Sequence, residues 1–308
     1  MTAMEGLVMK STGSWYLVRL GGGEILKCRL RGKLKLKGSK TTNPVAVGDS
    51  VILEKENDRE GIINDIQPRQ NYLIRKSAQR DAFGHIIASN IDQAILVVTL
   101  SFPRTSIGFI DRYLVSTESF RIPTRIIFNK SDLLDPDLTD TYKQLSGLYE
   151  TLGYPTLLLS ARNDQDFSGL QQWLTGKTSL FSGHSGVGKS SLLNRLDPEL
   201  NLVTREVSTF ANKGTHATTF ATMFDLGHNT LIIDTPGIRE LGMIDMEDWE
   251  ISHYFPEMRE QLNNCKYHNC LHINEPGCKV LQLLQEGKIA ESRYKSYVGM
   301  VYEEDSRK

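Results

Sequence analysis

Two short motifs stand in an order that constrains this chain more than anything else in it. The stretch IIFNKSDLL, residues 126–134, carries Asn129, Lys130, Ser131 and Asp132 at the N-K-x-D spacing with which a GTPase grips guanine. The stretch GHSGVGKSS, Gly183 to Ser191, has the G-x-x-x-x-G-K-S spacing of a phosphate loop and comes more than fifty residues later. In the common arrangement the phosphate loop comes first and the guanine loop near the end. Either the early NKSD is accidental, or the chain has been cut and rejoined.

Each motif stands in the setting its chemistry needs. Gly183, His184, Ser185, Gly186, Val187, Gly188, Lys189, Ser190 and Ser191 follow the apolar run SLF and open the helical stretch SSLLNRL. Glycines let the backbone turn its N–H groups inward around phosphate, and the N-terminus of the next helix adds a favourable dipole. Lys189 is expected to act catalytically by neutralising β- and γ-phosphate oxygens, and the Ser190 hydroxyl to ligate Mg²⁺. In LIIDTPG, Asp234 ends a buried strand from which it reaches Mg²⁺ through water, and the Gly237 N–H meets the γ-phosphate. Asp132 selects the base. A carboxylate accepts from both the ring N–H and the exocyclic amine of guanine, a pair of donors that adenine lacks. LLLSA puts Ser160 and Ala161 at the end of another strand, where a loop backbone meets the guanine carbonyl.

The parts therefore run guanine loop, SA loop, phosphate loop, switch region, DTPG. Domain termini often lie close together, so joining the old ends and opening a new loop preserves the sheet. The order is that of a circularly permuted GTPase domain.

The rest of the chain divides by texture. Up to about residue 75, short alternating segments such as GSWYLVRL, EILKCRL and VGDSVIL are punctuated by turns and suggest a small barrel. From 76 to 242, apolar runs (AILVVTL, TRIIF, TLLLS, TLIID) alternate with helical stretches, which means a parallel sheet covered on both faces. From 243 to 308, two helical stretches flank a cysteine cluster. Charge divides the same way: residues 1–80 hold 15 Lys/Arg against 8 Asp/Glu, the remainder 21 against 29. The first 15 residues show no signal-peptide pattern and no apolar run reaches 18, so a cytoplasmic chain with no membrane association is expected.

Three of the four cysteines fall between positions 265 and 278, which points to a metal rather than to disulfides. Cys265, Cys270 and Cys278 have two candidate imidazole partners, His268 and His272, and spacing alone excludes neither. Cys28 stands apart as a core thiol. In KCRLRGKLKLK, Lys27, Arg29, Arg31, Lys33, Lys35 and Lys37 alternate with mainly apolar residues. On one strand this would set six cations on a single face, a surface suited to RNA backbone.

A permuted GTPase between a β-rich module and a Cys/His cluster resembles the family of ribosome small-subunit-dependent GTPases A (RsgA, YjeQ/YloQ) over essentially the whole chain. The resemblance implies an N-terminal OB-fold (1–75), a circularly permuted α/β P-loop GTPase domain (76–242) and a C-terminal helical zinc-binding domain (243–308). It implies a GTP hydrolase in late maturation of the 30S subunit, with hydrolysis stimulated by that subunit and rRNA as a partner. A monomer is expected. The family pattern C-x4-C-x-H-x5-C assigns Zn²⁺ to Cys265, Cys270, His272 and Cys278, a closed set typical of structural zinc. Stripping that metal is expected to leave nucleotide binding largely intact.

Switch I departs from the family: GTHATTF has Ala217 where a first threonine is usual, leaving Thr218 or Thr219 for Mg²⁺. After DTPG stands Ile238, whose aliphatic chain cannot orient water, so His216 is the candidate catalytic group, against the plainer reading of a solvated loop histidine. Two other readings remain on the sequence: a GTP-regulated RNA-binding switch with a non-ribosomal target, and an ATP-dependent kinase, which Asp132 disfavours.

Overall fold

In the computed structural model, which describes residues 3–32, 43–77, 80–202, 204, 221–235 and 246–302, the N-terminal alternation closes into a barrel. Its strands are β1 (Met4–Ser11), β2 (Tyr16–Leu20), β3 (Ile25–Leu30), β4 (Ser50–Lys55) and β5 (Glu60–Ile66). The pairing order β1-β2-β3-β5-β4 returns to β1, with β3 and β5 parallel and the other pairs antiparallel. Period-two burial turns Val8, Val18, Leu26, Cys28, Leu53 and Ile63 inward until no accessible surface remains on any of them. Cys28 is thus a core thiol, pushed up to about 11 by burial. β3 ends at Leu30, within the stretch read as one long strand; Lys27 and Arg29 share its exposed face and Arg31 lies just past it. Lys33, Lys35 and Lys37 lie outside the described residues.

A hairpin of β6 (Tyr72–Ser77) and β7 (Arg80–Ser89) follows, and the division expected after residue 75 falls within β6. Fully buried Asp49 anchors the barrel here, accepting from Arg69 at 2.7 Å and from Ser89 Oγ at 2.6 Å.

The α/β body runs β8 (Gln93–Val98), α1 (Ile107–Ser119), β9 (Thr124–Asn129), α2 (Pro136–Thr151), β10 (Thr156–Leu159), α3 (Ser168–Leu174), β11 (Thr178–Ser182), α4 (Lys189–Leu196), β12 (Thr222–Asp225) and β13 (Leu231–Asp234). The order β10-β9-β8-β11-β13-β12 is parallel except for β12. Every residue of β8 is buried because both faces are covered: Ala94, Leu96 and Val98 pack toward α1, Ile95 and Val97 toward α3 and α4. β12 then pairs with β1 through Lys10 and Thr222, so body and barrel form one eleven-stranded sheet. An Arg19–Asp225 ion pair crosses the same seam.

The C-terminal part is helical but more broken than its sequence suggests. Residues 248–254 form a 3-10 turn closed by a Glu247/Glu250 capping box, and Pro256 starts α5 (Pro256–Arg259). Gly287, at φ +70°, separates α6 (Lys279–Gln285) from α7 (Glu291–Val301). Among the described residues no helix is long and apolar enough to cross a membrane.

Candidate nucleotide site and metal centre

The carboxyl ends of β8, β9, β10, β11 and β13 converge, the place where open parallel sheets bind ligands. Asn129 closes β9 and joins three loops. Its Nδ2 donates to the Val187 carbonyl of the phosphate loop at 2.7 Å, and its Oδ1 accepts from the Ala161 N–H at 3.1 Å. Lys130 takes the left-handed conformation, φ 67°, which turns the chain into the short helical turn carrying Ser131 and Asp132. Asp132 is exposed, and its Oδ1 accepts from the Ser160 hydroxyl at 2.5 Å. That hydroxyl also accepts from Asn163 N–H, at 3.0 Å. The Asp164 carboxylate accepts from Ser160 N–H at 2.6 Å and fixes the SA loop. Sequence reading passed over Asp164, whose bond reaches back to an N–H four residues earlier, outside the two-residue spacing of an Asx turn. Lys130 donates to the Phe102 carbonyl at 2.7 Å, and burial lowers its pKa against the pull of Asp132.

The phosphate loop needs its glycines for space as well as for sign of φ. A Cβ on Gly183 would stand 2.3 Å from the Val97 carbonyl, and one on Gly188, at φ +96°, 2.3 Å from Asn129 Nδ2. Lys189 opens α4; its ammonium donates to the carbonyls of Gly183 at 2.6 Å and His184 at 3.1 Å. Burial lowers its pKa, with Asp234 opposing. Burial likewise pushes the Asp234 carboxyl up to about 6 against the pull of Lys189, and Asp234 Oδ1 is buried with no hydrogen-bond partner among the described residues. A desolvated acceptor beside the loop lysine fits a site for a hydrated divalent cation. Ser190 and Ser191 follow on the first turn of α4, both half-buried. Ser185 is exposed, Gly186 is left-handed at φ 84°, and the His184 ring lies 3.8 Å from that of Phe109. His216, Thr218, Thr219 and Gly237 lie outside the described residues.

In the C-terminal part, Cys265, Cys270, His272 and Cys278 bring their ligand atoms within 4.8 Å of one another, a group able to hold a metal. His268 is exposed and not part of it. His272 presents Nδ1, 3.4 Å from Cys278 Sγ and 3.6 Å from Cys265 Sγ. The Lys279 N–H points at Cys265 Sγ and the Leu281 N–H at Cys278 Sγ, at 3.3 and 3.5 Å, donors that favour thiolate. Burial pushes the Cys270 thiol up to about 12 and that of Cys278 upward, so a cation is what would draw both to thiolate. Glu275 shapes the loop by accepting from the N–H groups of Leu271, Ile273 and Asn274, while Tyr294 and Tyr297 donate to the carbonyls of His272 and Leu271.

Of the predicted cations on the barrel, the three described are all engaged. Lys27 lies 4.2 Å over the Trp15 ring, Arg29 pairs with Glu56 at 2.7 and 3.0 Å, and Arg31 donates to Asn64 at 3.1 Å. The exposed Arg29–Glu56 pair contributes little to stability.

Comparison with known proteins finds family models for the barrel and for the α/β body. A family model described as RsgA GTPase matches residues 66–244, and one described as RsgA N-terminal domain matches residues 5–63. The small ribosomal subunit biogenesis GTPase RsgA of Cytophaga hutchinsonii is 49% identical over 307 residues, spanning 99% of this chain and 100% of the relative. Its namesake in Bacteroides fragilis is 46% identical over 305 residues, spanning 99% and 98%. The crystal structure of YjeQ from Thermotoga maritima has a TM-score of 0.79 at 34% identity and is covered in full by this chain. That of YloQ, described as a circularly permuted GTPase, has a TM-score of 0.75 at 32% identity over 100% of this chain and 96% of its own.

Proposed function

The chain belongs to the RsgA GTPase family, and on that premise we propose that it hydrolyses GTP as a maturation factor of the small ribosomal subunit. The observation that carries the nucleotide reading is the Asn129 side chain, which spans from the guanine loop to Val187 and Ala161. A base seated against Asp132 is thereby set in register with the phosphate loop. Asn129, Lys130, Ser131, Asp132, Ser160 and Ala161 take the guanine; the N–H groups from Gly183 to Ser191, with Gly237, take the phosphates. Lys189 leaves the carbonyls of Gly183 and His184 to meet the β- and γ-oxygens. Ser190, Asp234 and either Thr218 or Thr219 would hold Mg²⁺, which when bound screens the charge developing on the transferred phosphoryl group. Ile238 offers no hydrogen bond to water, so His216 is assigned the role of orienting the nucleophile.

The four Cys/His ligands would hold one Zn²⁺, whose part is to fold the C-terminal domain. Three thiolates and an imidazole, with backbone N–H groups aimed at two of the sulfurs, support zinc over a hard cation. The barrel face of Lys27, Arg29, Arg31, Lys33, Lys35 and Lys37 is assigned to rRNA. The protein acts as a cytoplasmic monomer, and the subunit stimulates its hydrolysis. Competition against a fluorescent GDP tests the nucleotide reading: unlabelled GDP and GTP are expected to displace it, and ATP at a hundredfold excess is not. Equal displacement by ATP would remove the guanine assignment.

A further inference from the structure

α1 belongs to two cores at once. Phe109, Ile110, Tyr113 and Leu114 pack under the central sheet, whereas Val115 packs with Ile251, Phe255, Tyr297 and Met300 of the C-terminal domain. Between these faces sits Asp111. Its carboxylate accepts from Arg293 of α7 at 2.6 Å and from the Tyr149 hydroxyl at 3.0 Å, and neither Asp111 nor Arg293 has any exposed surface. The same guanidinium donates to Glu257 at 2.7 and 3.3 Å and lies 4.5 Å from the Phe255 ring centre. Burial alone would lower its pKa; the carboxylates of Asp111 and Glu257 more than reverse this, so Arg293 stays charged. Two turns on, Glu118 accepts from Arg259 at 2.9 Å. The C-terminal domain therefore grips α1 by two ion pairs, at Asp111 and at Glu118.

The opposite side of α1 touches the nucleotide loops. Phe109, two residues before Asp111 and so about 3 Å away along the helix axis, lays its ring on that of His184 in the phosphate loop. The segment leading into α1 supplies the Phe102 carbonyl that holds Lys130 of the guanine loop. A buried ion pair cannot be slid or half-broken cheaply, because a displaced partner leaves a charge stranded without water. Packed elements of this kind transmit displacement rather than absorb it.

We infer that Asp111 and Arg293 are positioning residues for the nucleotide site: through α1, the metal-binding domain holds the phosphate loop and Lys130 in their binding geometry and sets how long guanine nucleotide stays bound. This rests on the nucleotide reading above, and it replaces the expectation that the C-terminal domain and nucleotide binding are separable.

The test is the dissociation rate of mant-GDP from the full-length, metal-loaded chain. Arg293→Met keeps length and apolar packing but removes the charge, and should release mant-GDP about tenfold faster, a part of the much larger effect on stability expected when a buried pair loses one partner. Arg293→Lys, which restores a cation, should recover much of the wild-type rate, and Asp111→Asn should fall between. Metal content and melting temperature are read on the same samples. If Arg293→Met lowers stability yet releases mant-GDP within twofold of wild type, the pair only glues two domains together and the inference is overturned. Should Arg293→Met fail to fold, the near-isosteric Asp111→Asn decides by the same rate. Failure of the wild-type chain to bind mant-GDP would instead remove the nucleotide reading itself.

Discussion

Asp132 stands exposed at the tip of its turn, with Oδ1 accepting from the Ser160 hydroxyl. What it offers to a base is therefore acceptor capacity on a braced carboxylate. Asp132→Asn puts a donor where guanine also donates, while xanthine presents a carbonyl there. GDP affinity should fall by more than about tenfold, the cost of leaving a donor unmet, and xanthosine diphosphate should become the tighter ligand. Titration with the two mant-labelled diphosphates checks this, and unchanged GDP affinity would sink the role of Asp132. At this scale the sequence was informative because spacing alone fixes the loop chemistry: N-K-x-D and G-x-x-x-x-G-K-S carry their geometry with them. Arg293 was illegible, being one arginine in the polar run ESRYKSY, and only tertiary packing makes it a core residue. Asp111 left a trace. A single acid inside the apolar helical run IGFIDRYLV is a sign of a buried, paired carboxylate.

Elements were read well where their period was local and poorly where their partners were distant. The strands of the α/β body announced themselves as apolar runs, since both faces of the sheet are covered. Nothing in MEGLVMKS says that it pairs across domains with β12, and the β6–β7 hairpin has no clean alternation to betray it. At the seam, β12 is held on its outer side by β1. The partly exposed Arg19–Asp225 pair clamps the far end of β12. Arg19→Ala should cost no more than about 1 kcal/mol globally, as surface pairs do, yet raise amide exchange across Thr222–Asp225 several-fold by local opening. Hydrogen exchange read by mass spectrometry reports both quantities, and unaltered exchange in β12 would mean that β13 alone secures it.

Across the whole molecule, the described residues join the basic barrel to the nucleotide-binding body at the β1–β12 seam, and that body to the metal-binding domain through α1. Metal loss should therefore be felt beyond its own domain. Cys270→Ala is expected to abolish a stoichiometry of about one zinc per chain, measured by elemental analysis, and to lower the melting temperature of the C-terminal domain. Full zinc retention in that variant would remove Cys270 from the ligand set. In the sequence the cations of the barrel look free, whereas Lys27, Arg29 and Arg31 have local partners in the fold. Their target is the heart of the account, and steady-state GTP hydrolysis tests it most directly when measured alone, with purified small subunits, with large subunits and with free rRNA. Unaided turnover should be slow, on the order of 10⁻³ per second or modestly above, as in GTPases whose attacking water is not yet oriented. Small subunits should raise it by at least about tenfold, and large subunits or free rRNA should leave it near the basal rate. Equal stimulation by any RNA, or none by small subunits, would contradict the ribosomal assignment and make the protein a GTP-regulated RNA-binding switch with another target.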